Sequence, residues 1–382
     1  MASEMLYPVM PAFLRSIGFS IFLIGVLEGF AEATAGLSKS YFGKRSDVSG
    51  TRLPFVQLGY ALSAISKPMM ALMIYPLWIF MARAIDRIGK GIRTGARDAL
   101  LSDESTRENK AKVFGFHRSM DTLGAVFGPL IALLFLYYHP GHYTTLFLIA
   151  FIPGVAAIFL TFLIKEKRKR ASTKIQVSNW SFFQIFSYWK ISSREYKRLC
   201  IGLLAFALFN SSDAFLLLKM RESGISDTMV IAVYIFYNLI FALLAYPIGI
   251  IADKIGLKKI YLTGLFIFSL VYAGFAFNHN YIGFYLLFFL YGVYAAATEG
   301  ISKAWISNVA AHEETATAIG TFTGLQSLCA LVASSLTGFI WFRYGGVVTF
   351  MMSACVTILV IIYLSIFHSK SENIKINKHG KL

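Results

Sequence analysis

The chain has 382 residues, of which 57% are hydrophobic and only 15% charged, with a formal net charge of +16 and a mean hydropathy of +0.62. A soluble domain carries about 25% charged residues, so this composition excludes an ordinary water-soluble enzyme and points to a surface that faces lipid. Cys200, Cys329 and Cys355 all lie in apolar runs, which fits small buried hydrophobes and argues against a disulfide framework.

Apolar runs of about 20 residues cross a bilayer as helices, because in lipid each backbone polar group needs an internal partner. Such runs predict helices over 1–14, 19–42, 53–73, 74–100, 112–138 and 143–164. After a polar middle they recur over 199–218, 228–251, 259–277, 281–307, 315–341 and 346–367. Met1–Leu14 lacks the basic region and small-residue cleavage site of a signal peptide. Its apolar part, Met5–Leu14, reaches about 15–21 Å as a helix, short of a core of roughly 30 Å. The expectation is a first helix truncated by about one to two dozen residues through a misplaced start.

Alternate loops differ in charge. One set carries Lys44, Arg45 and Arg52, then Arg93 to Lys112, Lys165–Arg170, and Lys254, Lys258 and Lys259; the other holds little beyond Arg15, Lys219, Arg221 and Arg343. The positive-inside rule puts the first set and both termini in the cytoplasm. This distribution ties the net charge to the membrane surface and not to nucleic acid. Within the polar middle, Trp180, Phe182, Phe183, Ile185, Phe186, Tyr188 and Trp189 alternate with polar residues and predict a helix lying on the cytoplasmic surface. The expected divisions are 1–164, 165–198 as a basic and amphipathic linker, 199–367, and a tail over 368–382.

The pattern G-x3-D-x2-G-x-[RK] occurs as Gly43, Asp47, Gly50 and Arg52, and again as Gly249, Asp253, Gly256 and Lys258. Weaker echoes align Gly91-Ile92 with Gly300-Ile301 and Gly115 with Gly324. Both full copies follow the second helix of a six-helix half, so the chain reads as two parallel halves with a substrate site at the midplane between them. The glycines permit a tight turn.

These paired loops resemble the signature loop of the major facilitator superfamily, over essentially the whole chain. The resemblance implies an all-α integral membrane fold of twelve helices, acting as a monomer on a small-molecule substrate without a cofactor. It also implies that the loop latches the halves on the cytoplasmic side in the outward-open state. The sequence places Arg93 and Arg97 at the same cytoplasmic level as Asp47, which makes them its expected partners. A second family motif, G-x3-G-P, associated there with antiporters, stands at Gly124, Gly128 and Pro129, although Leu130, Ile131 and Ala132 replace the glycines that often follow. Small residues also simply let helices approach. Asp86 to Thr94, followed by Phe114 to Arg118, looks like a bacterial subfamily of unassigned substrate.

Charges inside membrane helices are the functional candidates, because an unpaired one costs several kcal/mol in lipid. Glu28 and Glu32 share a face of the second helix, and Arg83 and Arg87 a face of the fourth, beside Asp86. The fifth helix adds His117, Arg118 and Asp121. A carboxylate that moves between an arginine and an apolar setting takes up and releases a proton, so Glu28, Glu32 or Asp121 suits proton coupling; the alternative is structural ion pairs between helices. The second half contributes Asn210, Asp213, Glu299 and Lys303, the last two at a spacing suited to pairing with each other. Lys67 is expected to snorkel to the outer interface, and Tyr234, Tyr237, Tyr291 and Tyr294 either line the cavity or pack.

No zinc-ligand cluster and no nucleotide-binding G-x4-G-K-[ST] loop is present. The reading is a proton-coupled secondary transporter of the cell membrane exporting a small organic molecule. Symport of an anionic metabolite or sugar is the alternative within the class, and a receptor or lipid scramblase on the same scaffold the alternative outside it.

Overall fold

Proline, glycine and capping side chains punctuate the chain. The computed structural model describes residues 2–6, 9–10, 13–14, 17–18, 21–166, 185–225 and 227–366, and their side chains except at 21–26, 28–33, 37, 185–187, 214, 227–228 and 231. A short α1 (Ala2–Leu6) precedes α2 (Ile21–Ser49), which ends at Gly50, in left-handed backbone at φ 65°. Both α3 (Leu53–Leu72) and α4 (Pro76–Asp103) carry proline in the first turn, where its missing N–H has no helical partner to lose. α5 (Lys110–Tyr138) and α6 (Tyr143–Phe162) contain Pro129 and Pro153.

Beyond the linker come α7 (Ile185–Ile191) and α8 (Arg194–Ala207), the latter capped by Ser193, whose Oγ accepts from Tyr196 N. Next are α9 (Ala214–Glu222), α10 (Asp227–Ile255), α11 (Leu257–Phe277) and α12 (Tyr281–Val309). A 3-10 turn at His312–Glu314 leads into α13 (Thr315–Ile366), whose two arms meet at Gly345. All the described elements are helical.

Three expectations need correction. First, α2 and α10 run into the signature motifs, so Gly43, Asp47, Gly249 and Asp253 are helical and only Gly50 and Gly256 take the left-handed turn. Second, the helix expected over 199–218 is broken between α8 and α9. The break contains Asn210, Ser211, Ser212 and Asp213, side chains that compete with the backbone for hydrogen bonds. Third, Tyr188 of the expected surface helix is buried and stacks edge-on against Tyr196 at 5.3 Å. Trp180, Phe182, Phe183 and 167–170 of the linker, together with the tail, lie outside the described residues.

Within the first group, α4 packs on α2 and α3, and α3 on α6; within the second, α12 packs on α10 and α11, and α11 on α13. Two long contacts join the groups, α2 with α13 and α5 with α10. Outward-facing apolar side chains are abundant, among them Leu134, Phe159, Leu243, Leu270, Phe339 and Ile362, each more than half exposed. Such a belt belongs against lipid. Among the described residues, six helical stretches are long and apolar enough to cross a membrane: Lys110–Tyr138, Tyr143–Phe162, Ala232–Ile255, Leu257–Phe277, Tyr281–Val309 and His312–Ile366. The helices α2, α3 and α4, of comparable length, fall outside that set.

Candidate functional site

The signature-loop end is shut by the same device used twice. Asp47, at the end of α2, accepts from the backbone N–H groups of Ala316 (3.3 Å) and Thr317 (2.6 Å) and from Thr317 Oγ1 (2.7 Å). Asp253, at the end of α10, accepts from the N–H groups of Ala111 (2.9 Å) and Lys112 (2.7 Å). Each carboxylate therefore meets the free N–H groups at the start of a helix in the other group, where the helix dipole favours negative charge. Asp47 also pairs with Arg52 (3.1 Å), which holds Asp103 at 2.7 Å. The expected partners Arg93 and Arg97 are engaged elsewhere: Arg93 donates to Ser63 Oγ and lies over the Tyr60 ring, and Arg97 pairs with Asp98.

Glycines make this closure possible. A Cβ on Gly43 would lie 2.5 Å from the Ala316 carbonyl oxygen, and one on Gly249 2.4 Å from that of Ala111. Gly320 and Gly115 approach Lys39 O and Ala245 O as closely. The structural counterpart of Gly115 is thus Gly320, not Gly324. Lys258 Nζ donates to Ser365 O (2.9 Å). Glu166, unremarked in the sequence, accepts from the N–H groups of Arg52 (2.7 Å) and Leu53 (2.8 Å) at the start of α3.

Deeper in the first group, Lys67 is buried and pairs with Asp86 at 2.6 Å, with Arg83 3.8 Å from the same carboxylate. The snorkelling role expected for Lys67 is wrong, because Asp86 offers it a partner inside the helix bundle. Arg87 is buried too. The side chains of Glu28 and Glu32 lie outside the described residues.

Between the groups, Glu299 and Lys303 do not pair with each other. Lys303 Nζ reaches Asp98 at 2.6 Å, and Glu299 reaches Arg118 at 2.5 Å. Arg118 also holds Asp121 (3.3 Å) and lies over the Phe241 ring. α12 turns both residues toward α4 and α5, where complementary charges stand. The side chains of Arg118, Asp121 and Glu299 are one-third to one-half exposed (33%, 47% and 43%) although they lie between helices, so they face an interior space. His117, Asp121 and Gly124 line an open cleft of about 470 Å³ with Tyr60, Arg97 and Phe127. Gly128 is buried in α5, beside the in-helix Pro129.

The broken helix closes the opposite wall. Tyr291 OH donates to Asp213 Oδ1 (2.7 Å), and Asn210 Nδ2 donates to Tyr294 OH (3.0 Å). Tyr237 packs against Tyr291 at 5.0 Å, so three of the four candidate tyrosines gather here; Tyr234 stands behind Tyr237. Asn210 Oδ1 and Arg118 Nε are buried without a hydrogen-bond partner among the described residues. Irregular backbone at this depth is tolerated where it lines a cavity. Outside the spans, α7 adds Tyr188, whose OH donates to Glu314 Oε2 (3.3 Å). Burial, then the neighbouring Glu314 carboxylate, push that phenol upward.

Sequence reasoning missed two charges. Lys39, inside α2, donates to Ser327 Oγ of α13 (3.1 Å), and Asp98, which lies within the helix expected over 74–100 but was not singled out there, is fully buried.

Comparison with known proteins agrees with this fold. The family model described as Major Facilitator Superfamily matches residues 1–218 and again 198–381. An uncharacterized MFS-type transporter of Methanocaldococcus jannaschii is 32% identical over 360 residues, 91% of this chain and 88% of the relative. A Lactococcus lactis protein named as a multi-drug resistance efflux pump PmrA homolog is 25% identical over 133 residues, 34% of this chain and 33% of that protein. Among solved structures, the E. coli fucose:proton symporter FucP superposes with a TM-score of 0.77 at 11% identity, covering 97% of this chain and 95% of its own.

Proposed function

The chain belongs to the Major Facilitator Superfamily, and from that premise we propose that it exports a small organic molecule in exchange for protons by alternating access. It is a multi-pass membrane protein. The observation that carries the reading is the Arg118–Glu299 pair, which joins α5 to α12 at 2.5 Å while both side chains remain open to the interior. Separating the two groups breaks this pair. The charges are then free for substrate or proton in one state and neutralised in the other.

The substrate site lies between Arg118 and Asp121 of α5 on one wall and Asn210, Asp213, Tyr291 and Glu299 on the other. Arg118 Nε offers a donor and Asn210 Oδ1 an acceptor, both buried without a partner among the described residues. Arg118 already faces two carboxylates, so the site has no surplus positive charge to favour an anion. Glu28, Glu32, Arg83, Asp86, Arg87, His117, Arg118 and Asp121 make up the proton-coupling set. Lys303 holds the wall below.

Export is favoured by Gly124, Gly128 and Pro129 in the antiporter-type motif and by the relative named as an efflux pump homolog. Asp47 and Asp253, with Gly43, Gly50, Arg52, Gly249, Gly256 and Lys258, form the latch on the cytoplasmic side, so the state described here faces outward. Residues 1–164 and 199–367 are the two moving bodies, 165–198 is the linker, and the protein works as a monomer in the cell membrane with both termini cytoplasmic.

The test is proton movement in proteoliposomes that enclose a pH-sensitive dye, challenged with a panel of organic cations, anions and neutral molecules. An active compound moves protons opposite to itself, and Glu299→Gln abolishes that movement while preserving folding. Protons moving in the same direction as the compound would establish symport, and transport indifferent to both the gradient and the substitution would make the protein a uniporter.

A further inference from the structure

Asp98 and Lys303 stand 205 positions apart, and the helices that carry them, α4 and α12, also begin 205 positions apart. The two residues are therefore equivalent positions in the two repeats. Two equivalent positions touch only where the axis relating the copies passes between them. Here they carry opposite charges and pair at 2.6 Å, with the Asp98 carboxylate fully buried. No motif covers either residue as a pair, and neither the latch nor the interior site requires it.

Asp98 Oδ2 accepts from Lys303 Nζ across the groups, and Oδ1 accepts from Arg97 Nε (3.1 Å) and Nη2 (3.0 Å) within its own. The titratable and charged surroundings are Arg97 on α4, Lys303 on α12, and His117 and Asp121 on α5, with Tyr60 on α3 beside Arg97. α2 and α13 meet α4 at this level through Gly43, the Lys39 carbonyl and Ala316. Lys303 is thus the charged partner of Asp98 that leaves when the groups separate, since Arg97 travels with Asp98 on the same helix.

Resting on the alternating-access reading above, we propose that Asp98 is a proton acceptor of the transport cycle and Lys303 the key that closes it. With the signature-loop end shut, the ionised carboxylate binds Lys303 and Arg97. As the two groups part, Lys303 withdraws as an ammonium ion and water reaches Oδ2, which takes one proton from the solution on that side. The protonated acid offers Lys303 a poorer acceptor, so the end stays open until the proton leaves. The sign follows: the ionised pair favours the shut state at higher pH, and that preference is lost as pH falls. Asp98 acts here as a coupling group, and Arg97 positions it.

The experiment uses the full chain in liposomes with native thiols removed (C200A, C329S, C355S) and spin labels introduced through E108C and E313C. Both positions are exposed, in the loops between α4 and α5 and between α12 and α13, and they too are repeat equivalents. Distance distributions are recorded from about pH 8 to about pH 5. The expected result is a shut-to-open ratio that falls about tenfold or more on acidification, and an Asp98→Asn protein that stays at the open ratio throughout. Lys303→Gln is expected to open the end at high pH as well, and His312→Gln, at an exposed titratable group of the same end, to keep the wild-type response. A normal pH response in Asp98→Asn, or its loss in His312→Gln with Asp98 intact, would overturn this assignment while leaving the transporter reading standing. One unchanging distance in every variant would overturn both.

Discussion

At the scale of single residues, four glycines and two aspartates do most of the work of closing the signature-loop end. A methyl group on Gly43 or Gly249 would sit 2.5 or 2.4 Å from a carbonyl oxygen of the facing helix, inside any real contact distance. Overpacking of this kind costs about 1–3 kcal/mol, so Gly43→Ala and Gly249→Ala should each shift the population from shut to open by about fivefold or more. Spin-label distances across the two loops read this directly. Asp47→Asn and Asp253→Asn remove a charge from a helix start and should weaken closure by about 0.5–2 kcal/mol each. The two contacts share no partner, so the double variant should show nearly the sum. Equal effects from unrelated surface substitutions on the same helices would remove the capping explanation. The motifs themselves were legible as spaced glycines and aspartates. Their partners were not, because a contact between Asp47 and Thr317, separated by 270 positions, leaves no local pattern.

At the scale of elements, the break between α8 and α9 and the start of α3 carry the clearest consequences. Asn210 to Asp213 form a polar run within an apolar stretch, so the signal for the break was in the sequence; hydropathy counting over 199–218 averaged it away. Asp213→Leu takes the acceptor from the buried Tyr291 hydroxyl and should destabilise the protein by about 1–3 kcal/mol, whereas Asp213→Asn retains an acceptor and should melt close to wild type. Thermal unfolding in detergent separates the two. Glu166 links the end of the first group to the N-terminus of α3 through two backbone hydrogen bonds. Glu166→Ala should lower the melting temperature and Glu166→Gln less so, since the amide oxygen still accepts. The pairing of Glu299 with Lys303 was a reasonable reading of their spacing. It failed because α12 faces Arg118 and Asp98, and a charge offered by a neighbouring helix displaces one four residues along the same helix.

At the scale of the whole molecule, the repeat is the organising fact. Helices α2 and α10 begin 206 positions apart, and α5 and α13 205. The chain thus builds one unit twice and places opposite charges at the axis. Because Asp98 and Lys303 occupy equivalent positions, the exchange D98K with K303D should restore the shut state that either single substitution loses. Failure of the exchange with both single variants folded would show that Arg97 makes the two sides unequal. Composition made the membrane class legible, and the doubled motif made the family legible. The interior pairs emerged only when the two copies were set face to face, since no property of one helix states which charge the other copy presents.

The most direct test of proton-driven export is uptake into everted membrane vesicles from cells expressing the full chain, energised by respiration and screened against the same compound panel. Uphill accumulation of at least one compound is expected, collapsing when a proton uncoupler is added and absent in Glu299→Gln. Accumulation that persists without a proton gradient, or that is the same in Glu299→Gln, would contradict proton-coupled export through the Arg118–Glu299 site.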